Sequence, residues 1–193
     1  MVVDSHTPRG LQMNCGVWRV SVDDFATDAA AAFAHLRRLT TVKGDRLAIM
    51  GFSFGAMTGL RVGSAEVQKR LGIEGLRAIV AYYPQCETRS SDTRLIRNAD
   101  NIMRDHVTPT IAFFGAADDE TPPVQCTSRM DPLKAQGRPI DYKVYPDTTH
   151  SFDGAMWGLQ GKRIGGYLYR YNPEATEDSW ALARTFLDRE LRK

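Results

Sequence analysis

The stretch Ile49-Met50-Gly51-Phe52-Ser53-Phe54-Gly55-Ala56-Met57 decides how the chain is read. An apolar strand runs into a tight turn and then a helix, with one serine at the apex. Gly51-x-Ser53-x-Gly55 is the pattern of a nucleophile elbow, where a strained backbone projects the hydroxyl above the end of a sheet. Both glycines are expected to be steric requirements, because a Cβ at 51 or 55 would collide with the neighbouring helix or strand.

Strand and helix signals alternate outward from this turn. Met1-Val2-Val3 reads as the tail of a strand ending at Asp4-Ser5, followed by turn chemistry at Thr7-Pro8-Arg9-Gly10. Ser21-Val22-Asp23-Asp24 is a capping-box-like start for a helix reaching Leu39, with Phe25, Ala29, Ala32, Phe33 and Leu36 on one face. A strand at 46–50 leads into the elbow, and one long helix is expected from Gly55 to Leu71. Strands follow at 76–82, 110–114 and 140–145, with a helix from Pro122-Pro123 to Gln136. Residues 92–105 read as a loop with an exposed helix. Residues 154–166 read as a glycine-rich loop, and Pro173-Glu174 opens the last helix. The strands are apolar runs, as expected when both faces are covered. The pattern predicts one α/β domain spanning residues 1–193, a mostly parallel sheet with helices on both faces and a site at the carboxyl ends of the strands.

Composition narrows the function classes. With 25 basic and 23 acidic residues the net charge is +2, which argues against nucleic acid as a partner. No apolar run approaches the ~20 residues that span a bilayer, so no membrane partner is expected. Cys15, Cys86 and Cys126 show no C-x-x-C spacing, and no metal or cofactor is implied. Cys86 and Cys126 each follow a strand end on the site side. Two readings stand: buried free thiols in a cytoplasmic chain, or a bridge formed in a secreted or periplasmic one.

A serine hydroxyl needs a base within reach and an acid to orient that base. His150 lies after the last strand, in Thr148-Thr149-His150-Ser151-Phe152-Asp153. The acid lies after the strand before it, in Gly115-Ala116-Ala117-Asp118-Asp119-Glu120-Thr121-Pro122. Asp118 is the candidate, with Asp119 and Glu120 as rivals. His6, His35 and His106 have no such supporting frame. The order Ser53, Asp118, His150 is the serine, acid, histidine order of α/β-hydrolases.

These segments resemble the dienelactone hydrolase family of α/β-hydrolases. The resemblance rests on Val3-Asp4-Ser5 with Thr7-Pro8-Arg9-Gly10, on the elbow, on Gly115-x-x-Asp118-x-x-Thr121-Pro122, and on His150-x-Phe152-Asp153. It implies a Ser53–His150–Asp118 triad, an acyl-enzyme, a small ester or lactone as substrate, and the Phe54 N–H as an oxyanion donor. Arg9 falls where the family has a substrate-carboxylate arginine, and Trp157 is a candidate for the substrate pocket. Serine stands where dienelactone hydrolases proper have cysteine, and glycine stands at 154 where they have a second arginine. Both changes point to a general ester hydrolase. By the same resemblance the chain opens at the fourth strand, so the loop carrying the second oxyanion donor lies outside this sequence. Two expectations follow: residues 1–16 fold over the site, or a homodimer covers the sheet edge. The rival function is an impaired hydrolase scaffold that binds a ligand or partner.

Overall fold

The computed structural model describes residues 1–11, 20–87 and 102–193. Its centre is a four-stranded parallel sheet: β1 (Leu47–Phe52), β2 (Leu76–Tyr82), β3 (Thr110–Gly115) and β4 (Ile140–Tyr145), in the order β1-β2-β3-β4. Each crossover steps the same way across the sheet. Right-handed connections therefore put α2 (Phe54–Val62) and α4 (Val124–Ala135) on one face. There Ala56, Met57, Leu60, Cys126 and Met130 pack with Ala81, Ala112 and Phe114. The opposite face is covered by α5 (Pro173–Arg192), whose Ala175, Ala183 and Phe186 meet Ala78, Val80, Tyr82 and Phe113. The inner strands β2 and β3 are almost wholly apolar because both of their faces are covered, whereas the outer strand β4 carries the exposed Asp141 and Lys143.

The first helix, α1 (Val22–Arg38), starts as its sequence predicts. Ser21 Oγ accepts from Asp24 N at 3.1 Å and Asp24 Oδ2 accepts from Ser21 N at 2.8 Å, a reciprocal capping box. Its buried face of Ala26, Ala29 and Phe33 packs with Leu47, Val62 and Val67.

Four expectations need correction. Met1-Val2-Val3 forms no strand, and Val2 is 95% exposed. Asp4 Oδ1 accepts from both His6 N and Thr7 N at 2.9 and 3.0 Å, which turns the chain into a short 3-10 helix at Thr7–Arg9. The single helix expected at 55–71 is two, because Gly63 and Ser64 interrupt it. A Cβ at Gly63 would overlap the buried His106 ring, and Ser64 Oγ caps α3 (Ala65–Leu71) by accepting from Val67 N at 3.3 Å. The 154–166 loop holds a 3-10 turn at Ala155–Trp157 and the first strand of an antiparallel hairpin, β5 (Lys162–Ile164) with β6 (Tyr167–Tyr169). Gly165 and Gly166, at φ +59° and +94°, make its two-residue turn. The fourth is Gly55, where an added Cβ would meet nothing within 4 Å. Most of the loop expected at 92–105, and Cys15, lie outside the described residues.

Candidate active site

The sheet register brings the functional residues to one level. Phe52 pairs with Tyr82, Tyr82 with Phe113, and Gly115 with Tyr145, so the residues that follow emerge together at the carboxyl end. Ser53 leaves β1 at φ 49°, ψ −114°, held by its own N–H to Tyr82 O at 2.9 Å, and becomes the N-cap of α2. Positive φ at a serine is costly, of order 1–3 kcal/mol, and the turn persists because its surroundings fix it. Gly51 is one reason: a Cβ there would run into the Gly55 carbonyl. Phe54 is the first residue of α2.

His150 is 3% exposed and wired at both nitrogens. Nε2 lies 3.0 Å from Ser53 Oγ and Nδ1 lies 2.8 Å from Asp118 Oδ2. Nδ1–H donates to the carboxylate, which leaves the Nε2 lone pair to accept the serine proton. Asp118, not Asp119 or Glu120, holds Nδ1. Its carboxylate is itself fixed on both oxygens: Oδ1 accepts from Glu120 N at 3.0 Å and Thr121 N at 2.8 Å, and Oδ2 accepts from Thr121 Oγ1 at 2.8 Å. Gly115 lets the two loops close on one another, because a Cβ there would overlap the Thr148 carbonyl. Tyr83 packs edge-on against the imidazole with ring centroids 4.6 Å apart, and its hydroxyl donates to Asp153 Oδ1 at 2.6 Å. Burial and that carboxylate push the Tyr83 phenol far above its usual range, so it stays neutral.

Of the other expected residues, Trp157 reaches the site through a neighbour. Its ring lies 4.9 Å from Tyr169, whose ring lies 6.0 Å from His150. Arg9 is engaged elsewhere: its guanidinium grips Asp28 of α1 at 2.6 and 3.0 Å and donates to Ser5 O at 2.7 Å. Phe52 stacks on Tyr82 with centroids 4.9 Å apart, as part of the face under α5. Cys86 and Cys126 form a disulfide with Cα atoms 4.9 Å apart, so the bridged reading of those cysteines holds. It ties the segment after β2 to the first turn of α4, just beyond Thr121. Thr121 and Tyr169 were not singled out from sequence, and Glu120 was named only as a rival to Asp118. The threonine of the Gly115-x-x-Asp118-x-x-Thr121-Pro122 spacing was the available signal for the first.

Among the described residues no group of histidine, cysteine and acidic side chains is disposed to hold a metal, and no helix is long and apolar enough to cross a membrane.

Known proteins share this fold. A protein of Methylorubrum extorquens named "Putative carboxymethylenebutenolidase" is 26% identical over 155 residues, covering 79% of this chain and 45% of the relative. The chain thus spans about half the length of that curated relative. The dienelactone hydrolase-like promiscuous phosphotriesterase P91, from metagenomic libraries, superposes with a TM-score of 0.63 at 22% identity, over 87% of this chain and 62% of its own. Thermogutta terrifontis esterase 2, in a structure phosphorylated by paraoxon, gives a TM-score of 0.64 at 19% identity, over 89% and 65%. At such identities these structures speak for the fold alone. The model of the dienelactone hydrolase family matches residues 6–191, which takes in the elbow, the Asp118 loop and the His150 loop. With that match over nearly its whole length, the chain belongs to the dienelactone hydrolase family.

Proposed function

We propose that this protein hydrolyses carboxylic esters or lactones through an acyl-enzyme on Ser53. The observation that carries the reading is the unbroken path from Ser53 Oγ to His150 Nε2 at 3.0 Å and from His150 Nδ1 to Asp118 at 2.8 Å. As Oγ attacks the carbonyl carbon, Nε2 takes its proton. Asp118 holds the ring and stabilises the imidazolium, and Nε2 then returns the proton to the departing alkoxide. Water attacks the acyl-enzyme along the same route in reverse, giving the acid and free Ser53. The Phe54 N–H, directly after the nucleophile, is the proposed oxyanion donor within the chain. Trp157, rather than the already engaged Arg9, is the proposed substrate contact.

The mechanism needs no metal or cofactor. Ser53→Ala is expected to lower turnover of p-nitrophenyl acetate by about 10⁴-fold or more. A variant that keeps its activity removes the proposal. A fluorophosphonate probe separates catalysis from a scaffold role, because a binding protein with a dead site would not be labelled at Ser53.

Two companion proposals concern the surroundings. The disulfide favours an oxidising compartment, secreted or periplasmic. The edge of β1 that no described strand pairs, beside a cavity of about 410 Å³ lined by Met1, Val2, Val3, Phe25 and Phe33, suits coverage by a second copy in a homodimer. Sedimentation equilibrium tests the latter, and a monomer at all concentrations ends it.

A further inference from the structure

Asp118 orients the base, and Thr121 in turn orients Asp118. The threonine hydroxyl donates to Asp118 Oδ2 at 2.8 Å and lies 3.0 Å from His150 Nδ1, so it touches the acid and the base together. A second acceptor stands behind it, with Tyr83 O 3.3 Å away. A hydroxyl has one proton to give. The shorter contact places it on the carboxylate, and a small retreat of Thr121 would hand it to the carbonyl. The choice depends on how far apart the backbone segments 83–86 and 121–126 are held.

Those segments are closed into a ring. Tyr83-Pro84-Gln85-Cys86 follows β2, and Thr121-Pro122-Pro123 leads into the first turn of α4. The Cys86–Cys126 disulfide joins their far ends, and the approach of Thr121 to Tyr83 closes the near ones. Pro84, Pro122 and Pro123 each fix a φ angle, so few torsions in the ring can relax. The α4 arm is set by Cys126 N on Pro123 O at 3.0 Å, and Cys126 Sγ lies 3.3 Å from Pro84 O on the other arm. Tyr83 sits at φ 40°, a costly conformation for a tyrosine, anchored by its N–H on Phe113 O at 2.8 Å. Both cysteines are fully buried, packed with Ala56, Met57, Ala112 and Phe114. Burial keeps dissolved thiols away from the sulfurs, which suits a permanent brace and not a switch.

We propose that the Cys86–Cys126 bridge is a positioning device for the catalytic acid, acting through Thr121. The proposal rests on the hydrolase reading above and goes beyond it by giving the bridge a part in turnover. Without the bond, the first turn of α4 and the segment after β2 are free to separate. Thr121 moves with α4, Asp118 Oδ2 loses its hydroxyl, and the carboxylate turns from the angle at which it holds Nδ1. A bond that merely fastened the fold would add stability and leave the chemical step alone.

A double-mutant cycle separates the two roles. Turnover of p-nitrophenyl acetate is measured in the wild type, in Thr121→Val, in Cys86→Ala/Cys126→Ala and in the combined variant, each shown to be folded by circular dichroism. Removing the bridge is expected to lower kcat by about tenfold while KM stays within about twofold. Thr121→Val should cost about fivefold in the bridged protein and less than about twofold in the bridgeless one, because its hydroxyl has already left Asp118. A folded bridgeless protein with kcat within about twofold of wild type overturns the proposal. So does an undiminished cost of Thr121→Val in the bridgeless protein. Should the alanine variants not fold, the comparison is run on wild-type and Thr121→Val proteins reduced by dithiothreitol in urea and refolded under reductant. The two thiols of that reagent take the bridge to two cysteine thiols and leave as a cyclic disulfide. Loss of fold in both forms assigns the bridge to folding and overturns the proposal as well. Failure of the hydrolase reading looks different: the wild type itself shows neither ester turnover nor fluorophosphonate labelling at Ser53, and the proposal falls with it.

Discussion

Two buried histidines sit at opposite ends of the central sheet, and only one is built for chemistry. His150 lies beyond the carboxyl ends of the strands, with each ring nitrogen facing a functional partner. His106 lies just before β3, fully buried, with Nε2 against Thr108 O at 2.9 Å and Thr110 Oγ1 at 2.7 Å, and Nδ1 without a hydrogen-bond partner. Burial holds its pKa down to about 4, only partly offset by the hydrogen bond to the Thr108 backbone carbonyl. The two are equally inaccessible to water. What separates them is that a carboxylate and a nucleophile face the first, whereas threonines and bare backbone face the second. Burial alone makes a histidine neutral, and partners make it a base.

The sharpest way to break the contrast is to remove the carboxylate. Asp118→Asn keeps the shape of the side chain and loses the charge that fixes the tautomer. It is expected to lower kcat on p-nitrophenyl acetate by about 10⁴-fold. A loss below tenfold would hand the orienting role to another acid, and Glu120 would be the first to examine. Among the described residues no comparable partner faces His106, so no substitution there is expected to act on the chemical step.

His106 should instead appear in the pH dependence of stability. Its pKa is about 4 in the folded chain and about 6.5 in an unfolded one. Below 6.5 the unfolded chain takes up a proton that the folded chain refuses, so this contribution is complete above pH 6.5 and is lost as pH falls towards 4. Between pH 7 and pH 5 the loss amounts to about 2 kcal/mol. Urea unfolding at the two pH values measures it. In His106→Gln the part of the drop due to this group should vanish, whatever the starting stability, and an unchanged drop would assign the acid sensitivity to other groups.

The contrast was half legible in the sequence. The elbow, the acid loop and the base loop could be read because each puts its chemistry at a fixed spacing from a strand end. The order Ser53, Asp118, His150 then tied them together. His106 was rightly left without a frame, but its structural role was hidden. That role depends on Gly63, which must lack a Cβ to admit the ring, and on Ser64, which restarts the chain as α3 and donates to Asp105 at 2.5 Å. Both were absorbed into one long helix, because small residues suit a helix lying close to a sheet as well as they suit a break. The Lys162-Arg163-Ile164-Gly165-Gly166-Tyr167-Leu168-Tyr169 hairpin was missed for a different reason. Its strands are three residues long, too short for a period to register, although Gly165-Gly166 was the turn signal. With it went Tyr169 and the hydrogen bond it donates to Glu120. Arg9 sat at the family position, yet Asp28, nineteen residues away, decides what it holds. Long-range pairings of that kind leave no local mark.

The smallest test is also the most symmetrical, because each histidine has a threonine hydroxyl within 3.0 Å. Thr121 Oγ1 lies 3.0 Å from His150 Nδ1 and donates to Asp118, while Thr110 Oγ1 lies 2.7 Å from His106 Nε2 and donates to Thr108 O at 2.9 Å. Both side chains are buried, and valine replaces either with the same change of hydroxyl to methyl. Each substitution should cost about 1 kcal/mol of stability by urea unfolding, the usual worth of one buried hydrogen bond. Only Thr121→Val should also lower kcat, by about fivefold, because the bond it removes helps to fix the carboxylate that orients the catalytic base. Thr110→Val should leave kcat within the error of the assay. An equal kcat loss in both variants would mean that the sheet transmits packing changes from one end to the other. The isolation of the catalytic histidine from the structural one would then be wrong.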